Sequence, residues 1–342
     1  MHISNKKIKV EGWDGMKVKI FTEGGSEIGL GHLSRCSSLY DEIINRDIEA
    51  EFIIYGKIDN VYFLEDRQIS NVDWFSEDYL NDNISKEDYC IVDSYLAPKE
   101  MYKTISAKSK KALYIDDIGR LKYPKGIVVN PSLNTDDINY PENGVTKYLT
   151  GSQYIILRSS FVNTKRTNIN ENVKRVLITM GGSDIRDLTP LILKKICRKH
   201  SDIQFDVVIG NAFTNILEIE ENKLENVQLH YNINVKIMKE LMLKSDFAIT
   251  AAGQTIYELL ATQTPFIPIK VIDNQKYTVN SIIKHNIVER VINWNSTNLN
   301  HELLVELNRI MDYNYRLSFY EKYSKLIDGF GIKRIINELL EV

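Results

Sequence analysis

The sequence predicts an α/β protein made of two doubly wound domains that face each other across a cleft. Three observations predict it. Short apolar runs rich in β-branched and aromatic residues alternate with helical or polar stretches, as parallel βαβ units require. The pattern restarts midway: each half opens with strand, glycine-rich loop and helix, at Gly24 to Gly31 and again at Gly181-Gly182-Ser183-Asp184. At 342 residues the chain exceeds one typical domain, and two fit better.

The elements follow in order. In the first half the strands are Val18–Phe21, Ala50–Ile54, Tyr89–Val92, Ala112–Ile115 and Ile127–Val129. The helix after the first strand begins near Gly31 and carries Leu33, Cys36, Tyr40 and Ile43 at three- and four-residue spacing. In the second half the strands are Arg175–Thr179, Asp206–Ile209, Val227–His230, Phe247–Thr250 and Phe266–Ile269. The polar segment Asn163 to Asn172 reads as the interdomain linker. The domains are therefore expected at 16–162 and 173–330, with a last helix, within 331–342, that fits either one.

Composition narrows the function. Lys and Arg number 43 against 46 Asp and Glu, so charge implies neither nucleic acid nor a membrane surface as partner. Cys36, Cys90 and Cys197 are too far apart for a metal-ligand pair or a disulfide framework, and a reducing cytoplasm is the expected compartment. The stretch Met1 to Gly15 is polar and lacks the apolar core of a signal peptide. No apolar run approaches the roughly 20 residues of a membrane helix. The oligomeric state stays open, with a monomer favoured.

Four segments carry candidate chemistry. Glycines in the first loop let the backbone turn tightly and approach a ligand, and the helix beyond offers free N–H groups. His32 sits at that helix start, where the dipole disfavours the imidazolium and a neutral, basic imidazole is expected. The second segment is Met180-Gly-Gly-Ser-Asp184: paired glycines suit a phosphate, and Ser183 or Asp184 can cap a helix whose apolar face is Ile185, Leu188, Ile192 and Ile196. The third, Thr250-Ala-Ala-Gly-Gln-Thr-Ile-Tyr-Glu258, leaves a strand for a helix, and a carboxylate there can accept both hydroxyls of a ribose. The fourth is Asp273-Asn274-Gln275, whose amides suit sugar or phosphate contacts. Each has a plainer reading as a turn or a capped helix. Neither glycine loop has the dinucleotide spacing or a Walker lysine. Strand ends also supply Asp93-Ser94-Tyr95, Asp116-Asp117 and Asn130-Pro131-Ser132, residue types that are often only turn formers. The other histidines fit surface or packing roles.

The segments together resemble a family. Their order is Gly-Ser-x-Ile-Gly-x-Gly-His-x-x-Arg, Val-Asp-Ser-Tyr, Ile-Asp-Asp, Asn-Pro-Ser, Tyr-x-Ile-Leu-Arg, Gly-Gly-Ser-Asp, Ala-Gly-x-Thr-x-x-Glu and Asn-Gln, from about Lys17 to about Glu289. This resembles the UDP-2,4-diacetamido-2,4,6-trideoxy-β-L-altropyranose hydrolases of pseudaminic acid synthesis and their spore-coat polysaccharide relatives. Those proteins are similar to the peptidoglycan N-acetylglucosaminyltransferase and share its GT-B fold of two Rossmann-like domains. The resemblance implies that Gly181, Gly182, Ser183, Gly253, Gln254 and Thr255 face the diphosphate of UDP. It implies Glu258 on the ribose, Asn274 and Gln275 on phosphate or sugar, and Gly31, Tyr95 and Arg158 on the amino sugar. His32 would activate water at the anomeric carbon with inversion, releasing UDP with no metal or other cofactor. The partner implied is a UDP-activated diacetamido sugar. One departure stands out: the family's Arg-x-Asp after the first strand is here Phe21 and Glu23, which keeps the acid on a longer arm and drops a bidentate contact. Two other functions share the UDP site: a glycosyltransferase, and a catalytically silent nucleotide-sugar sensor. An apolar or basic membrane-facing patch near the first domain would favour the transferase, and none stands out.

Overall fold

Thirteen parallel strands, each in one of two sheets, organise the described residues, which are 16–25, 28–58, 61, 64–133, 135 and 138–341 of a computed structural model. The polar stretch 1–15 and residues Ser26 and Glu27 of the first glycine loop lie outside them. The chain forms two compact units. One comprises residues 16–131, 135–156 and 331–341, the other 132–133 and 157–330.

In the first unit the strands are β1 (Lys17–Glu23), β2 (Glu49–Tyr55), β3 (Ile69–Asn71), β4 (Tyr89–Asp93), β5 (Lys111–Ile115), β6 (Gly126–Asn130) and β7 (Thr146–Thr150). Helices α1 (Gly31–Ile44), α2 (Glu77–Asn83) and α3 (Lys99–Lys108) connect them. The sheet order is β3-β2-β1-β4-β5-β6-β7. Strands covered on both faces read as continuous apolar runs, and Cys90-Ile91-Val92 is buried throughout. Alternation splits the faces. Val18, Ile20 and Ile91 pack under the buried stripe Leu33, Cys36, Tyr40 and Ile43 of α1. Phe21, Cys90 and Val92 face Met101 and Tyr102 of α3. Truncating a stripe residue such as Leu33 to alanine should cost about 2–5 kcal/mol.

The second unit has β8 (Arg175–Thr179), β9 (Gln204–Ile209), β10 (Val227–Tyr231), β11 (Phe247–Ala251), β12 (Phe266–Lys270) and β13 (Ile292–Asn293), in sheet order β10-β9-β8-β11-β12-β13. Its helices are α4 (Leu188–Lys195), α5 (Ile216–Glu221), α6 (Val235–Lys244), α7 (Thr255–Ala261), α8 (Lys276–Lys284), α9 (Leu299–Met311) and α10 (Tyr313–Tyr323). The last helix, α11 (Gly331–Leu340), buries Ile332, Ile335, Ile336 and Leu339 in the first unit's core with α1. No helix among the described residues is long and apolar enough to cross a membrane.

Three strands escape the sequence reading: β3, β7 and β13. All are short edge strands, held by backbone pairing to one neighbour rather than by an apolar run. The polar stretch 163–172 is not a free linker. Buried Arg166 donates from Nη2 to the Met242 carbonyl (2.8 Å) and to Thr264 Oγ1 (2.7 Å), and Arg316 donates to the carbonyls of Asn170 and Glu171. A polar sequence is buried here because its charges find partners.

Candidate functional site

Each sheet reverses its strand order once, between β1 and β4 and between β8 and β11. In doubly wound sheets ligands bind beyond the carboxyl ends of strands at such points. Both glycine-rich loops lie there.

The first locus is a charged network. His32 is the second residue of α1, and Arg35 lies one turn on, on the same face. Asp93 ends β4 beside β1 and is fully buried. Its Oδ1 lies 2.8 Å from His32 Nδ1, and Arg35 clamps the carboxylate from Nε and Nη2, both at 2.5 Å. Burial pushes the Asp93 carboxyl up, but Arg35 and His32 outweigh it and hold it well below the usual carboxylate range. An ionised carboxylate only accepts, so an Nδ1–H directed at Asp93 leaves Nε2 to accept a proton; Arg35 Nη2 also lies 3.2 Å from Nδ1. Arg35 also reaches Asp117 Oδ2 (2.6 Å), which accepts from Tyr95 Oη (2.7 Å). The Tyr95 ring stands edge-on to His32, 4.6 Å between centroids.

Glu23 explains the longer acid at this position. Its buried carboxylate accepts the Tyr95 N–H (2.8 Å), the Leu96 N–H (3.2 Å) and the Ser94 hydroxyl, so it sets the turn that carries Tyr95. Glu23 Oε1 is 3.8 Å from His32 Nε2. Phe21, at the position of the family's arginine, is fully buried against Trp74 and belongs to the core. No hydroxyl or thiol among the described residues is hydrogen-bonded to His32 Nε2. Ser94 serves Glu23, and the Cys36 thiol, pushed up by burial and then by Asp93, is no nucleophile. The arrangement is a base with its orienting acid and no side chain to activate. It can take a proton from a bound molecule.

The second locus is mostly backbone and space. Gly181 has φ +78°, which favours glycine, while a Cβ on Gly182 would meet nothing within 4 Å. On Gly253 a Cβ would meet only Gln275 Nε2, at 3.7 Å, and on Gly31 of the first locus nothing within 4 Å. By contrast, a Cβ on Gly24 would overlap Leu33, and one on Gly210 would overlap the Gly182 carbonyl. Gly24 and Gly210 are glycines because the protein packs there; Gly31 and Gly182 leave room the protein does not use.

The helix after Ser183 starts later than its sequence suggests. Asp184 and Asp187 are both left-handed (φ +41° and +51°), and α4 begins only at Leu188. Asp184 still caps it, accepting from the N–H groups of Leu188 (3.0 Å) and Thr189 (2.9 Å). Ile185 is thrown out of the helix and is 52% exposed, so it is not part of the buried face. Glu258, one turn into α7, is buried and accepts from Arg158 Nε (2.9 Å) and Nη2 (2.6 Å), both on Oε1. Burial pushes the Glu258 carboxyl up, and Arg158 offsets it only in part. Arg158 lies in the second unit with Glu258. Gln275 is buried and accepts the Val271 N–H through Oε1 (2.8 Å), Asn274 and Gln254 are exposed, and Thr255 and Ser183 are half-buried.

His32 stands out in the sequence, and its partners do not. The signals were Arg35 at i+3 from the histidine, and Asp93 and Asp117 following apolar runs. Outside both loci, His230 pairs with fully buried Asp206 (2.7 Å), a packing role.

No protein-family model matches the chain. It is 30% identical over 271 residues to an uncharacterized protein of Methanocaldococcus jannaschii, covering 74% of this chain and 55% of that one. It is 27% identical over 263 residues to the pseudaminic acid cytidylyltransferase and UDP-2,4-diacetamido-2,4,6-trideoxy-β-L-altropyranose hydrolase of Helicobacter pylori, covering 76% and 45%. It is 24% identical over 333 residues to the spore coat polysaccharide biosynthesis protein SpsG of Bacillus subtilis, covering 94% and 96%. The chain is a homologue of these last two proteins. It spans about half the length of the first two relatives. Among solved structures it is similar to MurG of Acinetobacter baumannii (TM-score 0.64, 11% identity, 95% of this chain and 99% of that one). It is also similar to CalG4, the calicheamicin glycosyltransferase (0.63, 12%, 95% and 97%). The fold is GT-B.

Proposed function

We propose that the chain hydrolyses a UDP-activated sugar, releasing UDP and a free 2,4-diacetamido-2,4,6-trideoxyhexose for nonulosonic, pseudaminic-type acid synthesis. The observation that carries the reading is His32, with Nδ1 on ionised Asp93 and no protein nucleophile on Nε2. Water gives its proton to Nε2 as its oxygen bonds to the anomeric carbon. The bond from that carbon to the diphosphate oxygen breaks, and its electron pair leaves with UDP. The imidazolium so formed is held by Asp93. A single displacement inverts the centre and needs no second catalytic carboxylate. Gly181, Gly182, Ser183, Gly253, Gln254 and Thr255 take the diphosphate through backbone N–H groups and hydroxyls. Glu258 takes the ribose, and Gly31, Tyr95, Arg158, Asn274 and Gln275 are assigned to the sugar end. The sugar class rests on the name of the Helicobacter pylori relative.

The test is UDP release from a panel of UDP-sugars with no acceptor present, run in ¹⁸O-water. The expected result is label in the sugar, unlabelled UDP, and the inverted anomer in early NMR spectra. Label in UDP would mean attack at phosphorus and overturn the mechanism. The same Nε2 can deprotonate an acceptor hydroxyl, so glycosyl transfer is the second reading; turnover only when an acceptor is added would establish it.

A further inference from the structure

The loop after β8 carries a cation that the functional reading has not used. Arg186 sits between left-handed Asp184 and Asp187. Asn215 Nδ2 donates to both aspartates, at 3.2 and 2.8 Å, while Asp184 also caps α4. Both carboxylates are thus engaged, and the loop is fixed. The Arg186 guanidinium stacks on Trp294, 3.8 Å from the ring centroid, and Nε donates to the Val271 carbonyl (3.1 Å). Val271 follows β12 and Trp294 follows β13, two and three strands away from β8 in the sheet. The Arg186 side chain thus reaches past β11 to residues that follow β12 and β13, and at Gly253, just after β11, a Cβ would meet only Gln275 Nε2, at 3.7 Å. Nη1 and Nη2 make no hydrogen bond among the described residues. The nearby acid, Asp273, already pairs with Lys270 (2.8 Å).

We propose that Arg186 is a diphosphate-binding residue, its outer guanidinium edge held at the β8–β11 switch point to receive a phosphate oxygen pair. This rests on the UDP-sugar reading of the same locus. An arginine stacked on an indole and fixed through Nε has surrendered its flexibility before binding, and its remaining N–H pair matches two phosphate oxygens. Charge delivered there stabilises the leaving group as well as the bound nucleotide.

Calorimetry on the whole chain with inorganic pyrophosphate, UDP and uridine tests this. Arg186→Ala should weaken pyrophosphate and UDP by roughly 10–100-fold and leave uridine unchanged. Arg186→Lys should recover only part, since an ammonium lacks the fork and the stack. Unchanged pyrophosphate affinity in Arg186→Ala would overturn the proposal, as would an equal loss for uridine, which would mark a collapsed loop. Arg186-dependent pyrophosphate binding without UDP binding would support Arg186 and sink the nucleotide reading. A wild-type chain that binds neither would overturn both.

Discussion

The two switch points have one topology and opposite contents. Beyond β1 and β4 the space is filled with ionisable side chains that fix one another: Asp93 holds His32, Arg35 holds Asp93, and Asp117 holds Arg35. Beyond β8 and β11 the protein supplies glycines whose missing side chains leave space, and Glu258 of α7 pairs with Arg158. The carboxylates differ in the same way. Arg35 and His32 overcome burial at Asp93 and pull its carboxyl down, whereas burial wins at Glu258 and pushes that carboxyl up. A group already compensated by the protein is set for chemistry. A buried carboxylate short of compensation is set to gain from hydroxyl donors that a ligand brings.

The largest expected effect comes from breaking the first network at its centre. Asp93→Asn leaves Arg35 and His32 without their buried carboxylate and should cost about 3–5 kcal/mol in the first unit, measured by amide exchange along β1 and β4. The Asp93 carboxyl titrates lower folded than unfolded. Its contribution is therefore whole above the unfolded value of about 4 and drains away as pH falls further. The gap between wild type and Asp93→Asn should narrow in that acid range. A gap independent of pH would deny that the ionised form is the stabilising one.

His32→Ala comes next. If the first locus does chemistry and the second does binding, turnover should fall by roughly 10²–10⁴ while UDP affinity stays nearly constant. Near-normal turnover in a folded variant would remove His32 as the base. Glu258→Ala is the converse. UDP should bind more weakly by about 1.5–3 kcal/mol, read by calorimetry, with turnover at saturating substrate largely kept. Unchanged affinity would return Glu258 to a structural role as Arg158's partner.

Most of the frame was legible because it is local. The stripe Leu33, Cys36, Tyr40 and Ile43 lies within one helix, and each central strand is one apolar run. His32 was legible for the same reason, as a histidine after a glycine loop. Its orientation was not, because Asp93 and Asp117 reach it only through the order β1-β4-β5, which no short stretch of sequence encodes. Ile185 was misplaced because two aspartates adopt left-handed backbone that their residue type permits but does not announce. The burial of Arg166 was not legible, since a buried arginine and a solvated one share the same letter.

The smallest effect separates the two kinds of glycine. Gly182 and Gly210 lie against each other, yet only one is needed by the fold. A methyl on Gly210 would run into the backbone of Gly181 and Gly182, which cannot swing aside as a side chain can. Gly210→Ala should therefore destabilise the second unit by about 1–3 kcal/mol. A methyl on Gly182 meets nothing within 4 Å, and its φ is not left-handed, so Gly182→Ala should leave stability unchanged or raise it by about 0.4–1 kcal/mol. If the space there belongs to a diphosphate, the same methyl should still weaken UDP binding, by several-fold in calorimetry. Gain of stability with loss of affinity in one variant is a combination that packing alone cannot produce. Full UDP affinity in Gly182→Ala would mean that the open space beside β8 is not where the phosphates lie.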